Sequence, residues 1–338
     1  MPTWGEILHQ INQSKAPNGN GPDYDGVRRG YLAALHKKSG RAVIIYASAW
    51  QESRPLAPAD VQIALGDVQG LMEAVSNVEE DELDFILHSP GGSAEAAESM
   101  VQYLRQRFSH IRVIVPLAAM SAATMIALSA DEIVMGQHSQ LGPIDPQFII
   151  STPEGARSAP AQAILKQFER AKLECQNPQN LAAWMPILRS YAPGLLTQCE
   201  DSRMLASTMV ASWLQQYMFS NESDAESKAR RIAGWFADYD SFHSHGRRVG
   251  IEQAREVGVK VRSLEEDDEL QDAVLSVHHA TMHTFSGTPA AKIIENHHGR
   301  AWVKMTRSVE IQQTVRQPGG EPQTPNRSER RRQSRGRR

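Results

Sequence analysis

The sequence predicts an α/β protein built around a parallel or mostly parallel sheet. Apolar, β-branched runs of strand length alternate with longer stretches whose apolar residues recur every three or four positions. The joints between them are short, so successive strands return through crossover helices. Two of the strands run straight into small residues and then a helix: Phe85-Ile-Leu-His-Ser-Pro-Gly-Gly92, and Arg112-Val-Ile-Val115 followed by Pro116-Leu-Ala-Ala-Met-Ser121.

Residues 1–30, rich in Asn, Gly, Pro and Lys, read as a loose arm with one short amphipathic helix over Trp4–Ile11. Residues 31–285 read as the main domain, 286–315 as a C-terminal extension and 316–338 as a disordered tail. Arg41–Ser48 predicts the first buried strand. Val61, Leu65, Val68, Leu71 and Val75 predict a helix over Pro58–Ser76. Leu83–Leu87 is the next strand, and Ser93 a suitable N-cap for a helix over Ala94–Phe108. Strand Ile111–Val115, helix Ala122–Ser129 and strand Glu132–Met135 follow, then a loop over His138–Gln147. Further helices are predicted over Pro160–Cys175, Leu181–Asn221, Glu226–Phe236, Ile251–Val257 and Asp267–His283, with a short strand at Val259–Val261.

A serine at a helix start and a glycine pair after a strand are the parts of an acyl-transfer site. Ser121 would supply the nucleophile, and the glycine loop and the amide after the serine would supply donors for an oxyanion. His279 and His283, four apart on one predicted helix, read as a surface helix, as do His297 and His298; no residue is assigned to a metal and no cofactor is implied.

Composition narrows the setting. No apolar run approaches the roughly 18 residues of a membrane helix, and the N-terminus lacks the pattern of a signal peptide. A cytoplasmic protein is therefore expected, with Cys175 and Cys199 as reduced thiols. The net charge of −3 hides an asymmetry: residues 316–338 carry +6 and the remainder −9. That arginine-rich tail suits an acidic partner or nucleic acid, or serves as a solubilising end.

Four stretches carry a resemblance: Ile86-Leu-His-Ser-Pro-Gly-Gly-Ser93, Val115–Met135, Leu141-Gly-Pro-Ile-Asp-Pro-Gln147, and Ser244-His-Gly246 leading into Glu252–Gly258. In this order they resemble the serine dehydrogenase proteinase family, a branch of the ClpP/crotonase superfamily close to signal peptide peptidase A. The resemblance implies a ClpP/crotonase-like spiral of strand–strand–helix units with additional C-terminal helices, assembled as a homo-oligomer. It implies a serine endopeptidase acting on a peptide or protein substrate, with Ser121 as nucleophile and Gly91, Gly92 and Ala122 at the oxyanion. Clp proteolytic subunits use a histidine base, but the corresponding position here is Ile144, and His138 lies too early in the chain to match. Signal-peptide-peptidase-like members use a lysine on a later helix. Ala159-Pro-Ala-Gln-Ala-Ile-Leu-Lys166 matches that stretch, which makes Lys166 the expected base, desolvated against apolar neighbours, with Lys172 in reserve. Asp145 and His245 are candidates for orienting the site, each with a plain structural role as the other reading. A crotonase-type acyl-CoA hydratase or thioesterase, and a catalytically silent scaffold, are the alternatives. The apolar content of Leu181–Leu188 and Met204–Met218 suggests burial between subunits.

Overall fold

The computed structural model of the chain describes residues 3–152 and 155–306. The arginine-rich tail lies outside them. In chain order the elements are α1 (Trp4–Gln13), α2 (Tyr24–Ser39), β1 (Ala42–Ser48), α3 (Pro58–Val61), α4 (Asp67–Val75), β2 (Glu82–His88), α5 (Ala94–Arg107), β3 (His110–Val115), β4 (Ala118–Ala119), α6 (Ala122–Leu128), β5 (Glu132–Met135), β6 (Gln140–Leu141), β7 (Gln147–Thr152), β8 (Gly155–Pro160), α7 (Ala161–Glu174), α8 (Leu181–Arg189), α9 (Leu195–Gln216), α10 (Ala225–Ala237), α11 (Tyr239–Phe242), α12 (Ile251–Val257), β9 (Val261–Ser263), α13 (Asp268–Gly287), β10 (Ala290–Asn296) and β11 (Ala301–Met305).

Seven strands form the main sheet in the order β11-β10-β1-β2-β3-β5-β9. The run from β1 to β9 is parallel, whereas β10 pairs antiparallel with β1, and β11 antiparallel with β10. The parallel strands are apolar on both faces because helices cover both. One face packs Ile44, Phe85, Val113 and Ile133 against α4, α5, α6, α9 and α10; the other packs Val43, Ile45, Ile86, Ile114 and Val134 against α2 and α13.

The N-terminal residues differ from the expected loose arm. A capping box between Thr3 and Glu6 starts α1, which buries Ile7 and Ile11, and α2 buries Val27, Leu32 and Leu35. α1 docks on α13, where His283 Nε2 meets the Trp4 carbonyl at 3.0 Å and the two rings stand 3.9 Å apart. His279 and His283 therefore hold a helix in place instead of facing solvent: His283 is buried.

The expected extension from residue 286 also differs, for β10 is an inner strand of the sheet. Its charged residues are buried in pairs. Lys292 Nζ lies 2.7 Å from both carboxylate oxygens of Asp67, and Glu295 accepts from Arg28 and Arg29 at 2.6 Å each.

Two helical expectations also change: the helix expected over Pro58–Ser76 is broken at Gln62–Gly66, and the one over Leu181–Asn221 divides into α8 and α9. β7 and β8, for which no strand was expected, pair as an antiparallel hairpin. Ala206, Met209, Val210, Trp213, Leu214 and Met218 are buried within this same chain, so most of the apolar surplus read in that segment belongs to the core.

Candidate active site

β2 ends at His88, and the chain passes through Ser89 and Pro90 into the glycine pair before α5. β3 ends at Val115, and the chain reaches Ser121 before α6. The two loops are laced together: Ser89 N donates to the Ala118 carbonyl and Met120 N to the Ser89 carbonyl, both at 3.0 Å. The Ile63 segment lies on the outer side. Its N–H donates to the Gly91 carbonyl at 2.8 Å and its carbonyl accepts from Ser93 N at 3.0 Å.

Both glycines are required by clearance. A Cβ on Gly91, whose φ is +93°, would stand 2.5 Å from the Met120 carbonyl oxygen and 2.7 Å from Ser121 Cβ; one on Gly92 would meet Ile63 O at 2.3 Å.

Ser121 has φ +53° and ψ −121°, a region that L side chains rarely adopt. It occupies the N-cap position of α6, yet its hydroxyl makes no capping hydrogen bond. A serine placed there for helix stability would use that hydroxyl on the helix amides. Thr124 holds the turn in its stead, donating to the Ala119 carbonyl at 2.7 Å and accepting from Gly142 N at 2.9 Å.

Among the described residues the amides of Gly92 and Ala122 donate to no protein acceptor. Gly91 is different: its N–H donates to Ser89 Oγ at 3.2 Å. Of the three expected oxyanion residues, Gly91 is thus engaged, and its contribution is close approach.

Ser121 opens into a cleft of about 560 Å³, lined also by Gly92, Glu95, Ile144, Asp145, Phe148, Ile149, Leu205 and His245. Asp145 is buried, and its Oδ1 lies 2.8 Å from His245 Nδ1; its Oδ2 accepts from Gln147 Nε2 at 2.7 Å. The two residues named as orienting candidates are therefore brought together on the Ser121 cleft. Ile144, at the position where a Clp-type histidine would stand, is buried there as well.

The lysines are elsewhere. Lys166 on α7 is ion-paired with Asp240 on α11, and both are about half exposed. This contradicts the expected desolvated base: neither apolar packing nor a contact with Ser121 holds it. Lys172 pairs with Glu169 on its own helix at 2.9 Å. His138 bonds the Pro116 carbonyl at 2.9 Å and faces a different cavity. Among the described residues lining the Ser121 cleft, His245 is the one side chain with a basic nitrogen.

Two residues behind the site were not foreseen. Lys292 Nζ also donates to the Gln62 carbonyl at 2.7 Å, while Asp67 accepts from Ala64 N and from the Tyr46 hydroxyl. This buried pair fixes the segment that carries Ile63, which in turn fixes the glycine loop.

The sheet and its serine cleft define an α/β protein equipped for acyl transfer. Residues 27–272 match the family of ClpP-like SDH-type serine proteinases, and the chain belongs to that family. That family is ClpP-like, in keeping with the ClpP-like α/β fold expected from the sequence, and its members are serine proteinases. The chain is 29% identical over 200 residues to one uncharacterised protein of Methanocaldococcus jannaschii, covering 59% of this chain and 60% of the relative. It is 30% identical over 209 residues to another from that organism, covering 60% and 62%. It thus spans less than two thirds of these relatives. Among solved structures it is similar to a mutant of a membrane-bound stomatin-specific protease (TM-score 0.35, 17% identity, 63% of this chain and 79% of that one). A second mutant of that protease, in complex with a substrate peptide, has a TM-score of 0.37 and 20% identity, with 62% and 74% covered. No helix among the described residues is long and apolar enough to cross a membrane.

Proposed function

We propose that this chain hydrolyses peptide bonds through Ser121. The observation that carries the reading is the serine itself: a strained backbone, a hydroxyl not used for capping, and the free amides of Gly92 and Ala122 in the adjoining loops. Ser121 Oγ attacks the peptide carbonyl, Gly92 N–H and Ala122 N–H hold the tetrahedral oxyanion, and a base takes the serine proton and returns it to the leaving amine. Water then completes deacylation.

The cleft favours His245 as that base. Asp145 holds its Nδ1, which leaves Nε2 to accept the proton, and the carboxylate stabilises the imidazolium that forms. The second reading keeps Lys166, as the family resemblance implies. Its helix follows directly from the β7–β8 hairpin that lines the cleft, and it must first leave Asp240. The substrate is an extended peptide, the protein acts in the cytoplasm, and exposed Leu173, Leu181 and Met204 supply apolar surface for a homo-oligomer.

Turnover of a fluorogenic peptide, together with labelling by a serine-directed fluorophosphonate, tests both levels. Ser121→Ala should abolish both, and a Ser121→Ala protein that still cleaves would overturn the function. His245→Gln should lower turnover about 10³-fold or more while Lys166→Ala retains it. The reverse result assigns the base to Lys166.

A further inference from the structure

We propose that His36, Glu80 and His297 form a three-ligand site for a divalent first-row cation at the end of the sheet away from the Ser121 cleft. His36 lies in the last turn of α2, Glu80 just before β2, and His297 just after β10. The glycine loop leaves the other end of β2.

One ligand atom from each of the three side chains lies within 4.8 Å of the others. Glu80 Oε1 stands 3.5 Å from His36 Nε2 and 3.6 Å from His297 Nε2. Those separations are too long for hydrogen bonds. They are near the separations of tetrahedral neighbours, which metal–ligand bonds of about 2.0–2.1 Å set about 3.3–3.4 Å apart. The His36 and His297 rings stack at 3.9 Å with 17° between their planes, so the partly exposed His36 ring tilts out of that stack to bring both Nε2 atoms onto one ion.

Among the described residues, His297 Nε2 in the cluster and the second oxygen of the same carboxylate, Glu80 Oε2, are buried without a hydrogen-bond partner. Polar atoms so placed normally find one. The backbone sets the rings: His36 Nδ1 meets the Arg41 carbonyl at 2.8 Å, which leaves Nε2 as the free lone pair, and His297 Nδ1 lies against the Val43 amide and carbonyl at 3.1 and 3.3 Å. Such outer contacts orient imidazole ligands in metal sites. Imidazole and carboxylate donors together suit zinc or iron(II). The fourth position faces solvent, since His36 is partly exposed. The ion would tie α2 to the β10–β11 turn, so its role is structural and separate from peptide cleavage.

The test uses the full chain stripped of metal and titrated with zinc against a chromophoric chelator, with a parallel thermal melt. One zinc per chain at submicromolar affinity, with a rise in Tm, is expected. Glu80→Gln and His36→Ala should each weaken binding at least about 10-fold and remove the rise in Tm. His297→Ala is checked for folding by circular dichroism, and the two less buried variants carry the test if it fails. Cobalt should give the visible absorption of a tetrahedral site. No zinc binding at micromolar concentration, or zinc binding unchanged in Glu80→Gln and His36→Ala, would overturn the site.

Discussion

The two walls of the Ser121 cleft are built by different means. On one side, Gly91, Gly92, Met120 and Ser121 are fixed by backbone hydrogen bonds to Ile63, Ser89 and Ala118, and behind them stands the buried Lys292–Asp67 pair. On the other side the β7–β8 hairpin, α7 and the loop holding His245 present side chains to solvent. Ile149 is 79% exposed there, and the Lys166–Asp240 pair is half exposed. The first wall cannot shift without breaking buried contacts. The second can re-pair at little cost, because exposed ion pairs contribute under about 1 kcal/mol. On the proposed mechanism, the sheet thus preorganises Ser121 and the Gly92 and Ala122 amides, whereas the base would be selected by surface contacts that a bound peptide can rearrange.

Breaking the first wall from behind should have the largest effect. Lys292→Met leaves Asp67 charged and buried without its partner, and should cost about 3–5 kcal/mol in chemical denaturation. A loss under about 1 kcal/mol would show that the pair does not brace the loop.

Acid should act on the same wall. His88, which directly precedes the loop, is fully buried, and burial pushes its pKa down from 6.5 to about 4, against a weaker opposite pull from the Ala118 carbonyl. The folded state therefore binds fewer protons than the unfolded chain between these values. Its contribution is complete above about pH 6.5 and is lost as pH falls toward 4, by roughly 3 kcal/mol in all. His278 on α13, 5.1 Å away ring to ring and also held neutral by burial, adds in the same direction. Urea midpoints measured between pH 7 and 4 should fall, and His88→Phe should flatten that slope.

Gly91→Ala drives a methyl group onto Met120 O and Ser121 Cβ. It should lower peptide turnover about 10²-fold through displacement of the nucleophile, with binding of a peptide product changed far less. Equal losses in both would assign the glycine to general folding.

The smallest effect is expected across the cleft. Asp240→Asn should change stability by less than about 1 kcal/mol in thermal melts. A marked change in turnover on freeing Lys166 would bring the lysine into the chemistry and narrow the difference between the walls.

The first wall was legible in the sequence, because its requirements are local: a strand, two glycines, a serine and a helix within a few residues. The second was not. Asp145 and His245 are 100 residues apart, and each has an ordinary turn role when read alone. Lys166 had the right motif around it, but a motif does not reveal that Asp240 lies within reach. β10 escaped notice for a related reason. Lys292 and Glu295 interrupt its apolar run, and the groups that neutralise them, Asp67, Arg28 and Arg29, lie more than 200 residues earlier. The helix pattern over 58–76 likewise had the right period, but could not show that Gln62–Gly66 opens to brace the glycine loop.

The position of β10 has a consequence for how the Ser121 cleft comes into being. β1 through β9 and both loops of the cleft are synthesised before residue 290, yet the strand beside β1 and the ammonium that grips Gln62 belong to residues 290–296. A nascent chain still missing them has the serine and the glycine pair but not the brace that shapes the segment around Ile63. On the proposed function, cleavage therefore waits until residues 290–296 have emerged and paired. Ribosome-stalled chains ending at Thr288 should resist fluorophosphonate labelling, while those extended well beyond Met305 acquire it; early labelling of the shorter chains would rule out this delay.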